Sequence, residues 1–237
     1  MFKQLLLIAF LIPSISAVAS PEKDYDEFVS YFENRFPDTP FEDYKNGVYS
    51  IDKSAREQWE AMEEFPPYEL NVDRGEELFN RPFKNGNTYG SCFENDGIGI
   101  RQNYPYFDTE KNKVVTLEGA LNDCRVKNGE KPLSYFKGKE LAHVSAYMAY
   151  TSRGNKFNVQ IPNTKEALDA YEDGRRLYFT KKGQLNFSCA DCHVYQTGTK
   201  LRADIPSPAI GHPTHFPVYR SGTVSYTHLR AHETDTD

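Results

Sequence analysis

The chain is predicted to be mainly α-helical, with two similar units in tandem and long irregular loops. Three observations carry this. Apolar residues recur at helical spacing, as in Leu117, Leu121 and Cys124 and again in Leu141, Val144 and Met148. A phrase also repeats: Arg74-Gly75-Glu76-Glu77-Leu78-Phe79 leads to Ser91-Cys92, and Asp173-Gly174-Arg175-Arg176-Leu177-Tyr178 leads to Ser188-Cys189. Glycine to cysteine is 17 residues in the first copy and 15 in the second. Between the copies, Arg153-Gly154-Asn155 ends a helix, and residues 159–163, with Pro162, read as a linker.

Taken in order, the chain opens with Lys3, an apolar run from Leu5 to Leu11, and Ala17-Val18-Ala19 before Ser20. That is a secretory signal over residues 1–19. The apolar run is too short to span a bilayer, so the mature chain is expected to be soluble and outside the cytoplasm, without membrane insertion. The net charge of -6 comes with no basic stripe, which argues against nucleic acid as a partner. Hydrophobic content is modest at 38%, yet the chain has 16 tyrosines and 16 phenylalanines. This suits a small domain wrapped around an apolar cofactor, and it equally suits an ordinary tyrosine-rich secreted protein. A helix carrying Leu117, Leu121 and Cys124 is followed by one over about residues 138–150, which closes the first unit. His143 on that helix reads as a surface or packing residue. A further helix is expected over residues 166–179, with Thr164 as its N-cap. Gly174 within it permits a close helix contact or is merely tolerated.

The strongest local signal is Cys189-Ala190-Asp191-Cys192-His193. Covalent heme needs two thiols to add to the two vinyl groups and an imidazole from the same turn to bind iron, and Cys-x-x-Cys-His supplies all three. A thioredoxin-like redox pair would follow a strand, whereas a helical pattern precedes this one. Zinc would need a second ligand pair, which is missing. One covalent heme c is therefore expected on Cys189 and Cys192, with His193 as the proximal iron ligand. The helix before the motif resembles the N-terminal helix of cytochrome c folds. Aligned on the first cysteine, Asn95 and Asp96 stand where the second copy has Cys192 and His193. Two cytochrome c-like domains are thus expected, a heme-less one over residues 20–158 and a heme-binding one over 159–222.

Cys92 and Cys124 remain. Their pairing would close a loop of about 33 residues and contribute roughly 3–4 kcal/mol on the chain-entropy estimate. It would staple the domain that lacks heme. Two free thiols are the alternative, which an oxidising compartment disfavours.

These features together resemble the SoxA family, the catalytic subunit of the SoxAX cytochrome of periplasmic sulfur oxidation. The resemblance is carried by Asp73 to Phe79, Ser188 to His193, Lys200-Leu201-Arg202 and Phe216-Pro217-Val218-Tyr219-Arg220, and it covers about residues 40–220. It implies the one-heme branch, where a disulfide takes the place of the other heme. It also implies an L-cysteine S-thiosulfotransferase, joining thiosulfate oxidatively to a cysteine of the carrier SoxYZ and passing two electrons through heme to SoxX. The compartment implied is the periplasm.

The family also implies a modified cysteine as the distal iron ligand, and here the chain departs. No cysteine and no methionine follows Cys192. Residues 224–234 read like a translated sequencing-library adapter, so residues 223–237 are expected to be an artefact and the second domain truncated; a genuine polar tail is the alternative. Lys200, Arg202 and Arg220 are the candidates for holding the thiosulfate dianion near iron, because cations stabilise anions in a partly dry cleft. Each is otherwise a solvated charge or a partner for a heme propionate. His212 and His215 are weighed as substitute distal ligands, although Pro213 and Pro217 stiffen their loop. An electron-transfer cytochrome with no substrate chemistry of its own is the competing function, and a docking module built on the heme-less domain is a third.

Overall fold

The computed structural model describes residues 20–135, 139–201, 204–215, 218–220 and 225–227, with His215 and the last two stretches in backbone only. The export signal, Arg202, and residues 221–224 and 228–237 of the terminal stretch lie outside the described residues. Helix α1 (Pro21–Arg35) starts where the Ser20 hydroxyl accepts from Lys23 N, with proline in the first turn. A kinked 3₁₀ stretch, Phe41–Ser50, leads to α2 (Lys53–Glu63), capped by Asp52 Oδ1 accepting from Ala55 N at 3.0 Å. Helix α3 (Glu69–Asn80) carries the first copy of the repeated phrase. A two-stranded antiparallel ribbon follows, β1 (Tyr106–Asp108) and β2 (Lys113–Val115), pairing Tyr106 with Val115. Then come α4 (Leu117–Lys127), α5 (Glu140–Thr151) and α6 (Lys165–Phe179). Short 3₁₀ and π turns connect to a last ribbon of β3 (Val218–Arg220) and β4 (Ser225–Thr227). The mainly helical expectation holds. Thr164 caps α6 as expected, its hydroxyl accepting from Ala167 N at 3.3 Å. Among the described residues, no helix is long and apolar enough to cross a membrane.

Two apolar cores form. The first gathers Leu78 and Phe79 of α3, Leu121 and Cys124 of α4, and Leu141, Val144 and Met148 of α5, with Phe83 and Tyr89 between them. Every apolar position expected to face inward on α4 and α5 does so. Helices α3 and α5 meet at Gly75, where a Cβ would stand 2.1 Å from the His143 carbonyl oxygen, so only glycine permits this approach. His143 is a packing residue, as expected, and burial lowers its pKa. Cys92 and Cys124 are joined by a disulfide with their Cα atoms 5.8 Å apart. Asn128 braces the bridge by donating from Nδ2 to Cys124 O at 2.9 Å. Where the repeat predicts counterparts of Cys192 and His193, Asn95 and Asp96 take left-handed φ angles of 49° and 50°. Asn and Asp tolerate that conformation, so the first copy turns where a heme-binding turn would continue to coil.

The second core draws on distant segments. Phe32 of α1 and Tyr44 pack with Ala190, Val194 and Ala209, and Phe28, Tyr31, Phe36, Ile51, Tyr178 and Ile210 lie against them. Residues 21–51 therefore pack with the motif turn, although sequence order groups them with the first unit. The two glycines of the repeat also part company. Gly174 on α6 has nothing among the described residues within 4 Å of a Cβ built there. Of its two sequence readings, the tolerated helix glycine is the one observed.

Two stability measurements check these assignments. Gly75→Ala should destabilise the fold by more than 1 kcal/mol, since backbone must move to admit the methyl. Gly174→Ala should be neutral or stabilise by about 0.5–1 kcal/mol. Equal melting shifts for the two would contradict the packing of α3 on α5. In denaturant titration, Cys92→Ser with Cys124→Ser should lose about 3–4 kcal/mol, in line with a loop of this length, and an unchanged midpoint would show that the bridge does not constrain the unfolded chain.

Candidate heme-attachment site

The motif turn is built by local chemistry. After α6 the chain makes a tight reversal, with Lys182 N donating to Phe187 O at 3.0 Å. Ser188 and Asp191 then form a reciprocal cap. Asp191 Oδ2 accepts from Ser188 N at 2.8 Å, and Ser188 Oγ accepts from Asp191 N at 3.0 Å. These backbone bonds from Ser188 hold the Asp191 carboxyl below its ordinary range. Residues 191–195 continue as one wide π-helical turn. The result presents Cys189, Cys192 and His193 on a single coil.

Both motif cysteines are unpaired and half-buried. Burial pushes the Cys189 thiol up. Behind them lies Tyr178, whose phenol burial raises strongly and whose hydroxyl has no hydrogen-bond partner among the described residues. His193 is held at Nδ1, which lies 3.0 Å from Ser207 O and 2.8 Å from His212 Nε2. The same His212 nitrogen is 3.1 Å from Ser207 Oγ. The two imidazoles cross at 72° with centroids 4.1 Å apart.

The far end of the turn is braced from the N-terminal segment. Arg35 Nη2 donates to Tyr195 O at 3.0 Å and to Thr197 O at 2.8 Å, while Tyr31 OH donates to Val194 O at 3.2 Å. A guanidinium there meets carbonyls that the turn leaves unsatisfied, at its partly negative end. Gly211 lets the 209–215 stretch press on the Tyr44 backbone, since a Cβ there would lie 2.0 Å from Tyr44 O.

The residues present fit a covalently attached heme. Two thiols three residues apart and the adjacent imidazole are the required donor set. With Nδ1 of His193 held, Nε2 is the nitrogen that would reach iron. Leu177, Phe179, Leu185, Phe187, Tyr195 and Leu201 flank the motif and are exposed, which suits contact with an apolar macrocycle. Among the described residues no cluster of three or more His, Cys, Asp or Glu forms a separate metal site.

The candidate anion-holding residues are not brought together in what is described. Lys200 is exposed beyond the motif, Arg202 lies outside the described residues, and Arg220 is described only as backbone of β3, opposite Ser225. Sequence reading missed Arg35, Tyr31 and Ser207. The first two lie about 160 residues from the carbonyls they hold, and no local pattern marks them.

Comparison with known proteins agrees with this architecture. Residues 74–157 match the family SoxA/TsdA, cytochrome c domain, which is the unit without the heme motif. The L-cysteine S-thiosulfotransferase subunit SoxA of Chlorobaculum tepidum is 52% identical over 211 residues, covering 88% of this chain and 73% of that protein. The subunit of the same name from Allochromatium vinosum is 50% identical over 215 residues, or 90% of this chain and 76% of that one. Among solved structures, SoxXA from P. pantotrophus matches with a TM-score of 0.60 at 27% identity, over 70% of this chain and 62% of the matched chain. With half of its residues shared across most of its length, the chain belongs to the SoxA family.

Proposed function

We propose that this chain is a heme-dependent L-cysteine S-thiosulfotransferase subunit of sulfur oxidation. The observation that carries the reading is the close identity to SoxA proteins across a chain that presents Cys189, Cys192 and His193 together on one turn. Cys189 and Cys192 would hold one heme c through thioether bonds, and His193 would ligate its iron. Bound there, heme would supply one-electron redox chemistry, and a SoxX partner would be the acceptor of the electrons released. The overall reaction joins a thiol of the SoxYZ carrier to thiosulfate. One S–S bond forms, the S–H bond breaks, and one proton and two electrons depart, giving a cysteine S-thiosulfonate.

The chain's own residues do the binding and orienting. Ser207 and His212 fix the His193 ring, and Arg35 and Tyr31 fix the turn that bears it. Lys200, Arg202 and Arg220 would draw the thiosulfate dianion toward the heme edge by charge. The disulfide-stapled unit would serve as the platform on which SoxX or the carrier docks. By packing, residues 21–51 would join the heme-bearing unit, leaving about residues 52–158 as the heme-less one. Residues 1–19 would direct export to the periplasm, where thiols are oxidised to disulfides.

The test begins with heme. Protein matured with a c-type heme assembly system should keep its heme through acid-acetone extraction, and Cys189→Ser with Cys192→Ser should lose at least tenfold of it. Heme that extracts from the unaltered chain would end the attachment reading. Thiosulfate, SoxYZ and SoxX are then added, and the carrier is weighed by mass spectrometry. A thiosulfonate adduct formed only with heme-loaded protein is expected. Reversible heme reduction without any adduct would leave an electron-transfer cytochrome instead.

A further inference from the structure

We infer that His212 is a positioning residue on the proximal side of the heme, accepting a hydrogen bond from His193 Nδ1 and strengthening His193 as a donor to iron. The inference rests on the reading of His193 as the iron ligand. Its basis is a short contact between two imidazoles that the attachment motif does not require. His193 Nδ1 and His212 Nε2 are 2.8 Å apart, and Ser207 O lies 3.0 Å from the same Nδ1.

The roles follow from proton bookkeeping. An imidazole that binds iron through Nε2 carries its proton on Nδ1, so His193 is the donor of the pair. His212 Nε2 must accept, which places the His212 proton on its own Nδ1. Ser207 meets the two rings twice, through its carbonyl at His193 and its hydroxyl at His212. The 72° crossing is an edge-on arrangement that keeps the rings from stacking. A backbone carbonyl is an acceptor that any residue at 207 provides, whereas the second acceptor depends on the side chain at 212. An acceptor on Nδ1 pulls that proton and raises the basicity of the ligating nitrogen. A more basic ligand favours the oxidised iron.

The same geometry removes His212 from the distal position weighed for it in sequence. Within one ring, the Nδ1–H bond and the Nε2 lone pair point away from each other. A group 2.8 Å from Nδ1 is therefore not across the porphyrin from His193.

The experiment uses the full chain matured with heme. Covalent heme in the unaltered protein is measured first by the pyridine hemochrome after acid-acetone extraction; its absence would overturn the reading of His193 and this inference with it. Given heme, midpoint potentials are compared for unaltered, His212→Phe and His212→Gln proteins. His212→Phe removes the acceptor and should move the potential positive, raising the reduced-to-oxidised ratio at fixed solution potential by up to about tenfold, or about 59 mV for one electron. His212→Gln keeps an acceptor oxygen and should fall between the two. If the phenylalanine variant does not mature, His212→Ala serves in its place. An unchanged potential in the variant without the acceptor would overturn the proposal. So would conversion of its iron from low to high spin, because that would mark His212 as an axial ligand.

Discussion

Arg35 sits on the carbonyls of Tyr195 and Thr197, at the end of the turn that carries both motif cysteines and His193. A helical turn ends with acceptors unsatisfied, and a short one has few bonds of its own to spare. Tying those acceptors to the last turn of α1 gives the motif coil a rigid neighbour. Phe32 and Tyr44 then pack beneath it, with the Tyr44 hydroxyl donating to Phe32 O at 3.0 Å. The geometry of Cys189, Cys192 and His193 thus depends on residues from the opposite end of the chain.

The two copies of the repeat solve one packing problem in different ways. In the first, α3 and α5 close around large side chains, Gly75 lets the helices approach, and the disulfide ties α4 to the 3₁₀ turn that follows α3. That core is filled by the unit's own side chains. In the second, α6 buries only Ala167 among its own residues, and the apolar side chains around the motif are exposed. Burial of apolar area is the main source of stability, so such a surface gains most from a flat apolar group attached in place. The left-handed turn at Asn95 and Asp96 marks where the copies diverge. Two backbone angles there replace the coil that presents thiols and imidazole in the second copy.

Charge is arranged to suit the motif without crowding it. Asp191 accepts the Ser188 amide, and Lys181 Nζ lies 3.6 Å from its other oxygen, so the one carboxylate within the motif is already compensated. His212 and Ser207 engage the histidine from its Nδ1 side. His193 is thereby held at its ring as well as along the turn, which limits its freedom to rotate.

Much of this was legible in residues alone. Helical spacing placed α4, α5 and α6, Thr164 marked a start, the repeat marked two similar phrases, and Cys-x-x-Cys-His marked the candidate site, because each is a local pattern whose physics acts within one or two turns. The pairing of Cys92 with Cys124 also followed from cysteine count and compartment. Tertiary structure alone decided that residues 21–51 belong beside the motif, that Arg35 and Tyr31 hold its turn, and that His212 meets Nδ1 of His193. Those contacts span roughly 20 to 160 residues of chain, and nothing in local spacing encodes which distant segment fills a core. Gly75 and Gly174 make the same point: they occupy equivalent places in one repeated phrase, and only the presence of a helix against the first gives glycine there a purpose.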